Sequence, residues 1–318
     1  MRVSFISTVF NEEESIDALL DSIFEQSHPA DEIIITDGGS VDKTVEKIKR
    51  KFAKQKRIKC ILLEKKGDRA VGRNEAIKQA TGDIIAISDA GCILDENWIK
   101  NITEPFRDQK IDVVAGYYGG KTKTPFQKCL VPYVLVMEDK VDSGSFLPAT
   151  RSMALRKFVW KEAGGFPEKY SHNEDYVFAH TLKNKGFNIF FQKTAIVSWI
   201  PPNTLRAAFR MFYRFAMGDI ESGLIRKKVV FIFLRYGLAL YLLLLLALYK
   251  SIIVGAIMLA LFAGYLFWSI NKNYKYVKQW RACYLLPVLQ FSSDAAVILG
   301  SLAGAVKKLI NFIFKFDD

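Results

Sequence analysis

Cysteine and histidine are scarce in this 318-residue chain, with four copies of the first and three of the second. The cysteines, at positions 60, 92, 129 and 283, follow no metal-ligand spacing and are expected to be reduced or buried thiols without a role. His172 and His180 stand near a helix, where lone histidines are more often structural, and neither is assigned to a metal. An amino-terminal signal pattern is also lacking: Arg2 is followed by a short apolar strand and then the acidic cluster "NEEES". The soluble part is therefore expected to stay where it is made. Basic residues outnumber acids 45 to 33, for a net charge of +12. No basic patch interleaved with aromatics accompanies that excess, so nucleic acid is not an expected partner and anionic membrane lipids are.

What the chain does have is long apolar runs near its carboxyl end. Val229 to Tyr249 has Arg235 as its single charge, and Ile252 to Ile270 has none. Each is about long enough to cross a hydrocarbon layer, and neither shows an amphipathic pattern. A third run, Cys283 to Val306, carries Asp294 and several small residues; it fits a span, a re-entrant segment or a helix buried against the other two. Arg226, Lys227 and Lys228 precede the first run, while Lys272, Lys275, Lys278 and Arg281 lie at the end of the second. Both clusters belong on the cytoplasmic side, which makes this a multi-pass membrane protein with a cytoplasmic amino-terminal domain.

That domain alternates strand and helix. "RVSFISTV", "DEIIITDGGS", "IKCILLEK" and "GDIIAISDAGC" have strand patterns, and "EEESIDALLDSIFEQS", "VDKTVEKIKRKFAKQ" and "RAVGRNEAIKQA" have helical spacing between them. A mostly parallel α/β sheet flanked by helices is the expected product. Each strand ends on polar residues: Asn11 and Glu12, Asp37, Asp68 and Arg69, and Asp89. Right-handed crossovers place these ends along one edge of the sheet. One such end is only a turn; four together indicate a site.

The series "STVFNEEESI", "ITDGGSVDKT", "GRNEAIKQATGDIIAISDAGC" and "GGFPEKYSHNED" resembles the family 2 glycosyltransferases, whose nucleotide-sugar-binding domain has the GT-A fold. The resemblance covers roughly residues 1 to 220. It implies an inverting transferase that moves a sugar from a nucleotide-diphosphate sugar onto a hydroxyl. Thr8, Phe10, Glu12 and Asp37 occupy the positions that hold base and ribose in such enzymes. Asp175 corresponds to the general base, and Glu174 is expected to orient it or to bind the acceptor. "LPATRSMALRK" resembles the strand beneath the acceptor, which makes Arg151 and Ser152 lining candidates. Arg69 and Arg73 are placed to reach the base or the phosphates, or else to lie on a helix surface.

Chemistry supports these residue types. A departing diphosphate concentrates negative charge, which Mg2+ or Mn2+ would offset, and Asp89 supplies a hard oxygen ligand at a strand end. Many relatives have Asp-x-Asp there, whereas this chain reads Asp89, Ala90, Gly91, so low metal affinity without nucleotide is expected. Gly38 likewise stands where many relatives have a second Asp. After the catalytic domain, Arg206, Arg210 and Arg214 recur every four residues among aromatics, a pattern suited to a membrane surface. Processive relatives carry Gln-x-x-Arg-Trp at this place; here Met211 to Phe215 lacks the Gln and Trp, which disfavours processive synthesis.

The expected organisation is a cytoplasmic GT-A domain over residues 1–200, a basic aromatic interfacial helix over 201–228, two or three transmembrane or re-entrant helices over 229–306, and an interfacial tail over 307–318. The expected acceptor is a membrane-associated glycan or glycolipid. A polyprenyl-phosphate glycosyltransferase and a non-catalytic membrane scaffold or transporter are the alternatives.

Overall fold

The computed structural model describes residues 1–313. They form two compact units, one from Met1–Lys121 with Leu135–Ile200, the other from Thr122–Val134 with the residues from Pro201 onward.

In the first unit β1 (Val3–Val9), α1 (Ile16–Phe24), β2 (Glu32–Asp37), α2 (Thr44–Lys54), β3 (Lys59–Glu64), α3 (Arg69–Gln79) and β4 (Ile84–Ile87) alternate as the pattern predicts. They are followed by β5 (Cys92–Leu94), α4 (Trp98–Thr103) and β6 (Val113–Gly120). The chain then leaves the unit for α5 (Pro125–Val134) and returns as β7 (Met153–Arg156), α6 (Lys157–Ala163), α7 (Glu174–Asn184) and β8 (Ile189–Trp199). All eight strands make one mixed sheet in the order β3-β2-β1-β4-β7-β6-β8-β5. Every residue of β2 and β4 is buried, as befits strands covered on both faces.

Register decides where the strand ends fall. Parallel pairing sets Val9 beside Asp37 and Ile6 beside Ile87, so the carboxyl ends of β2, β1 and β4 are neighbours. The strand β7 runs antiparallel to β4 with Met153 opposite Ile87, which brings the residues before Met153 next to those after Ile87. At Gly72 an added Cβ would lie 2.7 Å from Thr8 Cγ2, so the glycine is what lets α3 sit directly on β1.

The second unit is helical. With α5 it contains α8 (Leu205–Glu221), α9 (Lys227–Tyr249), α10 (Ile252–Val277) and α11 (Ala282–Ile313). Cys129 and Leu130 of α5 are buried with Ala208, Phe212, Leu286 and Leu289, which is why this segment belongs here although it interrupts the first unit. Thr204 caps α8 by accepting from Ala207 N at 3.2 Å. Arg206, Arg210 and Arg214 lie exposed on α8, while Ala208, Phe212 and Ala216 are buried. The α8 backbone approaches α11 closely at two glycines: a Cβ at Gly300 would lie 2.3 Å from Tyr213 O, and one at Gly304 2.7 Å from Met217 O.

Lys227–Tyr249, Ile252–Val277 and Ala282–Ile310 are long and apolar enough to cross a membrane. No residue of α9 is buried against protein. Residues 307–313 of the expected tail continue α11 without a break, and Val306, Leu309 and Ile310 extend its apolar run. The rest of that tail lies outside the described residues.

Candidate active site

The ends of β1 and β2 are stitched together by their own polar side chains. Asn11, with φ 53°, donates its N–H to Ser40 Oγ at 2.8 Å and accepts from Val41 N through Oδ1 at 2.9 Å. Glu12 N donates to Thr44 Oγ1 at 2.7 Å, and the Glu12 carboxylate accepts from Ser15 Oγ. Burial pushes the Glu12 carboxyl above its ordinary range, against the Ser15 hydrogen bond and the charge of Arg69.

Asp37 holds the following turn. One carboxylate oxygen accepts from Gly39 N and Ser40 N at 2.8 and 2.9 Å, and the other from Ser40 Oγ at 2.5 Å. Its hydrogen bonds therefore shape the loop first, in the manner of an Asx turn. A Cβ at Gly38 would sit 3.2 Å from Gly67 O and 3.5 Å from Val9 O, which leaves a larger side chain little room. Phe10 stands beside this turn with 59% of its surface exposed. Thr8 is half-buried beneath α3, and Arg69 is exposed at the start of that helix.

Beyond β4, Asp89 is half-exposed and ionised. Its Oδ1 accepts from Arg73 Nη2 at 2.8 Å and its Oδ2 from Thr150 Oγ1 at 3.1 Å. Burial works against its charge, yet Arg73 and then Arg151 hold the carboxyl below its ordinary range. Arg73 is itself 1% exposed. Its second fork nitrogen, Nη1, donates to Glu174 Oε1 at 2.6 Å, and Glu174 is 3% exposed. The guanidinium also lies 5.5 Å from the centre of the Phe166 ring. Burial opposes its charge; Asp89 and then Glu174 hold the guanidinium's pKa above the usual value.

These contacts correct two expectations. Arg73 is not on the helix surface: it is buried and joins the β4 end to the first turn of α7. Ser152 does not line an acceptor cleft. It is fully buried in the sheet, accepting from Trp98 Nε1 at 2.8 Å and donating to Ala195 O at 3.0 Å. The antiparallel register explains the difference, since residue 152 points into the layer between sheet and α4 while residue 151 emerges at the strand-end edge. Arg151 lies there between the rings of Tyr118 and Trp199, at 5.5 and 5.4 Å from their centres.

Asp175 follows Glu174 in the first turn of α7, next to Asn173 in left-handed conformation at φ 61°. Its Oδ1 accepts from Tyr176 N at 2.8 Å. Burial, and then the charge of Glu174, raise its carboxyl above the ordinary aspartate range, with Arg73 pulling the other way. The loop before α7 is anchored by Asn74, the residue after Arg73. Asn74 Oδ1 accepts from Phe166 N at 2.8 Å and Trp160 Nε1 at 2.9 Å, and Nδ2 donates to Phe166 O at 2.9 Å. Gly164 and Gly165 turn that loop with φ of 89° and 77°. Sequence reasoning missed Asn74, Tyr118 and Thr150; Asn74 and Thr150 stand inside quoted motifs, but their partners are distant in sequence.

Among the described residues no cluster of three His, Cys, Asp or Glu side chains is disposed to hold a metal. What the β4 end offers is one ionised carboxylate with lone pairs left over after Arg73 and Thr150. That donor set fits a hard cation whose remaining ligands are phosphate oxygens and water.

A mixed sheet of this order, flanked by helices and gathering its polar strand ends at one edge, is the fold of the GT-A glycosyltransferases. It matches the mannosyltransferase PcManGT from Pyrobaculum calidifontis, solved with GDP-Man and Mn2+, at a TM-score of 0.67 and 20% identity over 97% of this chain and 87% of that one. It also matches S. aureus TarS 1-349 in complex with UDP-GlcNAc, at a TM-score of 0.53 and 16% identity over 97% and 93% of the two chains. Residues 4–160 match the model of glycosyl transferase family 2, and that match together with the glycosyltransferase relatives supports a nucleotide-sugar-dependent glycosyltransferase. Its relatives include the glycosyltransferase AglE of Haloferax volcanii, 22% identical over 69% of this chain and 73% of AglE. Another is the poly-beta-1,6-N-acetyl-D-glucosamine synthase of Staphylococcus epidermidis, 25% identical over 69% of this chain; the match spans 55% of the synthase.

Proposed function

We propose that the chain is an inverting glycosyltransferase that moves a sugar from a nucleotide-diphosphate sugar to a hydroxyl of a membrane-associated glycan or glycolipid. The observation that carries this reading is the Arg73 fork, which holds Asp89 and Glu174 on one guanidinium and so fixes Asp175 near the strand-end carboxylate. Glu174 is spent on Arg73 and acts as a positioning residue. Asp175 accepts from Tyr176 N in its own helical turn, and a raised pKa makes a carboxylate a better proton acceptor near neutrality. It takes the proton of the acceptor hydroxyl as that oxygen attacks the anomeric carbon on the face opposite the diphosphate.

On the donor side, Phe10 presents an exposed ring to the base, and the Asp37 turn with Thr8 and Glu12 shapes the pocket for base and ribose. Arg69, exposed near Glu12 and Asp89, faces the phosphates. Asp89 would hold Mg2+ or Mn2+ together with the diphosphate, and the bound cation would offset the charge of the leaving group. The GDP-Man and Mn2+ held by one structural neighbour and the UDP-GlcNAc held by another support this donor class. With α9, α10 and α11 as spans, the basic residues 226–228 and 272–281 favour a multi-pass protein whose catalytic unit is cytoplasmic.

Purified protein incubated with a panel of nucleotide sugars, Mn2+ and membrane lipid extract should release nucleoside diphosphate from at least one donor. Asp89→Asn should weaken Mn2+-dependent nucleotide binding in calorimetry while the fold survives. Absence of release from every donor, or Mn2+-dependent affinity unchanged in the variant, would overturn the reading.

A further inference from the structure

One cation at the strand-end edge is left without a task by the proposed transfer. Arg151 stands just before β7, and its backbone is fixed against the end of β4: Ser88 Oγ donates to Arg151 O at 2.8 Å, and the neighbouring Thr150 Oγ1 donates to Asp89 Oδ2 at 3.1 Å. Its half-buried guanidinium lies between the rings of Tyr118 and Trp199. Asp89 and Asp175 both feel its positive charge. Yet among the described residues its fork makes no hydrogen bond and has no carboxylate within ion-pair distance, whereas Arg73 spends its two terminal nitrogens on Asp89 and Glu174.

Aromatic rings offset part of an arginine's charge but accept none of the hydrogen bonds that its N–H groups can donate. What completes such a side chain is an oxyanion, which can accept from two donors of the fork in parallel. A sugar hydroxyl would take one bond and leave the charge unmatched. An acid brought beside Asp89 and Asp175 would also meet like charge, and Arg151 is the cation on hand to offset it.

The order of the sheet says where along the substrate that oxyanion belongs. Base and ribose are assigned above to the ends of β2 and β1, through Asp37, Phe10 and Glu12, and the diphosphate to the end of β4, through Asp89. The next strand is β7. Neighbouring strands lie about 4.8 Å apart, so Arg151 is one strand past the diphosphate and about 14 Å past the β2 end. With the donor lying along this edge, its sugar falls at β7. Tyr118 on β6 and Trp199 on β8 lie farther along the same edge, away from the diphosphate.

We propose that Arg151, held between Tyr118 and Trp199, binds the carboxylate of an acidic sugar, a hexuronate, which is either the sugar transferred or the acceptor residue that receives it. Arg151 is then a specificity residue of the transfer. The inference rests on the donor reading given above for its placement.

The test is calorimetry on the full chain in detergent with Mn2+, using nucleotide sugars matched except at C6: UDP-glucose against UDP-glucuronate, UDP-galactose against UDP-galacturonate, and GDP-mannose against GDP-mannuronate. UDP and GDP alone are the reference ligands. A second arm saturates the protein with UDP or GDP and adds the methyl glycosides of the same hexuronates or of their neutral twins. At least one hexuronate should bind about 10-fold or more tighter than its twin, as a charge-assisted hydrogen bond allows. A preference among the nucleotide sugars makes the transferred sugar the source, and one among the methyl glycosides makes it the acceptor. Arg151→Gln should abolish the preference while binding UDP or GDP as the parent does. Arg151→Lys should recover only part of it, because an ammonium lacks the fork. No preference in either arm, or a preference that survives in Arg151→Gln, would overturn the inference. So would an equal loss of bare UDP or GDP affinity in Arg151→Gln, which would assign the arginine to the diphosphate. A parental protein that binds neither UDP nor GDP would overturn the donor reading, and this inference with it.

Discussion

Each unit of this protein holds an arginine against a carboxylate, and the two are satisfied in different ways. Arg73 meets two carboxylates, Asp89 and Glu174, with a third, Asp175, beside them. Arg235 shares one carboxylate with three other donors. The first cluster has acid to spare, which suits a site that must accept a proton. The second spends one carboxylate on four donors and so ties α9, α10 and α11 together. The count of donors against acceptors separates the two cases.

The largest expected effect tests the surplus acid. Asp175→Asn should retain donor binding and melting temperature while lowering kcat by about 10²–10⁴-fold, the usual worth of general-base catalysis. Turnover and melting measured on one preparation separate this from a helix-terminus effect, which would lower stability by about 0.3–1 kcal/mol and leave kcat intact. An Asp175→Asn enzyme with parental turnover would end the assignment.

Breaking the first cluster at its centre comes next. Arg73→Met leaves the buried Glu174 and the half-exposed Asp89 without their cation and should cost about 3–5 kcal/mol of stability, read by denaturant titration of the full chain in detergent. Arg73→Lys should recover part of the stability and little of the turnover, because an ammonium cannot hold both carboxylates in the same fork geometry. Equal recovery of both would mean that charge alone matters there.

In the helical unit, Gly300→Val inserts a side chain where a Cβ would already lie 2.3 Å from Tyr213 O, and about 1–3 kcal/mol of destabilisation should follow. Gly264→Val, where an added Cβ meets nothing within 4 Å, is the matched control and should be close to neutral.

The smallest effects are those of pH. The raised carboxyl of Asp175 should place the acid limb of kcat above the ordinary aspartate range, and activity should fall as pH drops through it. Its stability sign is the reverse: the folded chain binds this proton more tightly than the unfolded one, so this contribution declines as pH rises from 3.8 through the raised value. Glu32 behaves oppositely. Although burial would push it up, hydrogen bonds from Thr81 and Ser4 bring its carboxyl to about 2, so its stabilisation is present above pH 4.5 and is lost as pH falls toward 2. Melting curves across that range in parental and Glu32→Gln proteins measure the difference.

The alternation from β1 to β4 was legible because each strand and helix is specified by local periodicity and ends in a local turn. Asp89 was legible as a strand-end carboxylate for the same reason. Arg73 was legible only as a candidate beside Arg69, because what it does depends on partners 16 and 101 residues away. Ser152 and Arg151 are adjacent in sequence and opposite in fate, which only the register of β7 against β4 decides. The excursion of α5 into the helical unit was equally hidden, since ten residues of mixed apolar pattern carry no label for the core they enter.

Gly91 bears on how this enzyme could be altered. It stands two residues after Asp89 with φ 76°, and a Cβ there would touch nothing within 4 Å. The missing second acid of the Asp-x-Asp pattern is therefore not excluded by crowding; what resists it is backbone handedness, a cost of roughly 1–2 kcal/mol that aspartate tolerates better than most residues. For the cation proposed at Asp89, a Gly91→Asp variant would supply a second carboxylate at a modest folding cost and without rebuilding the fold.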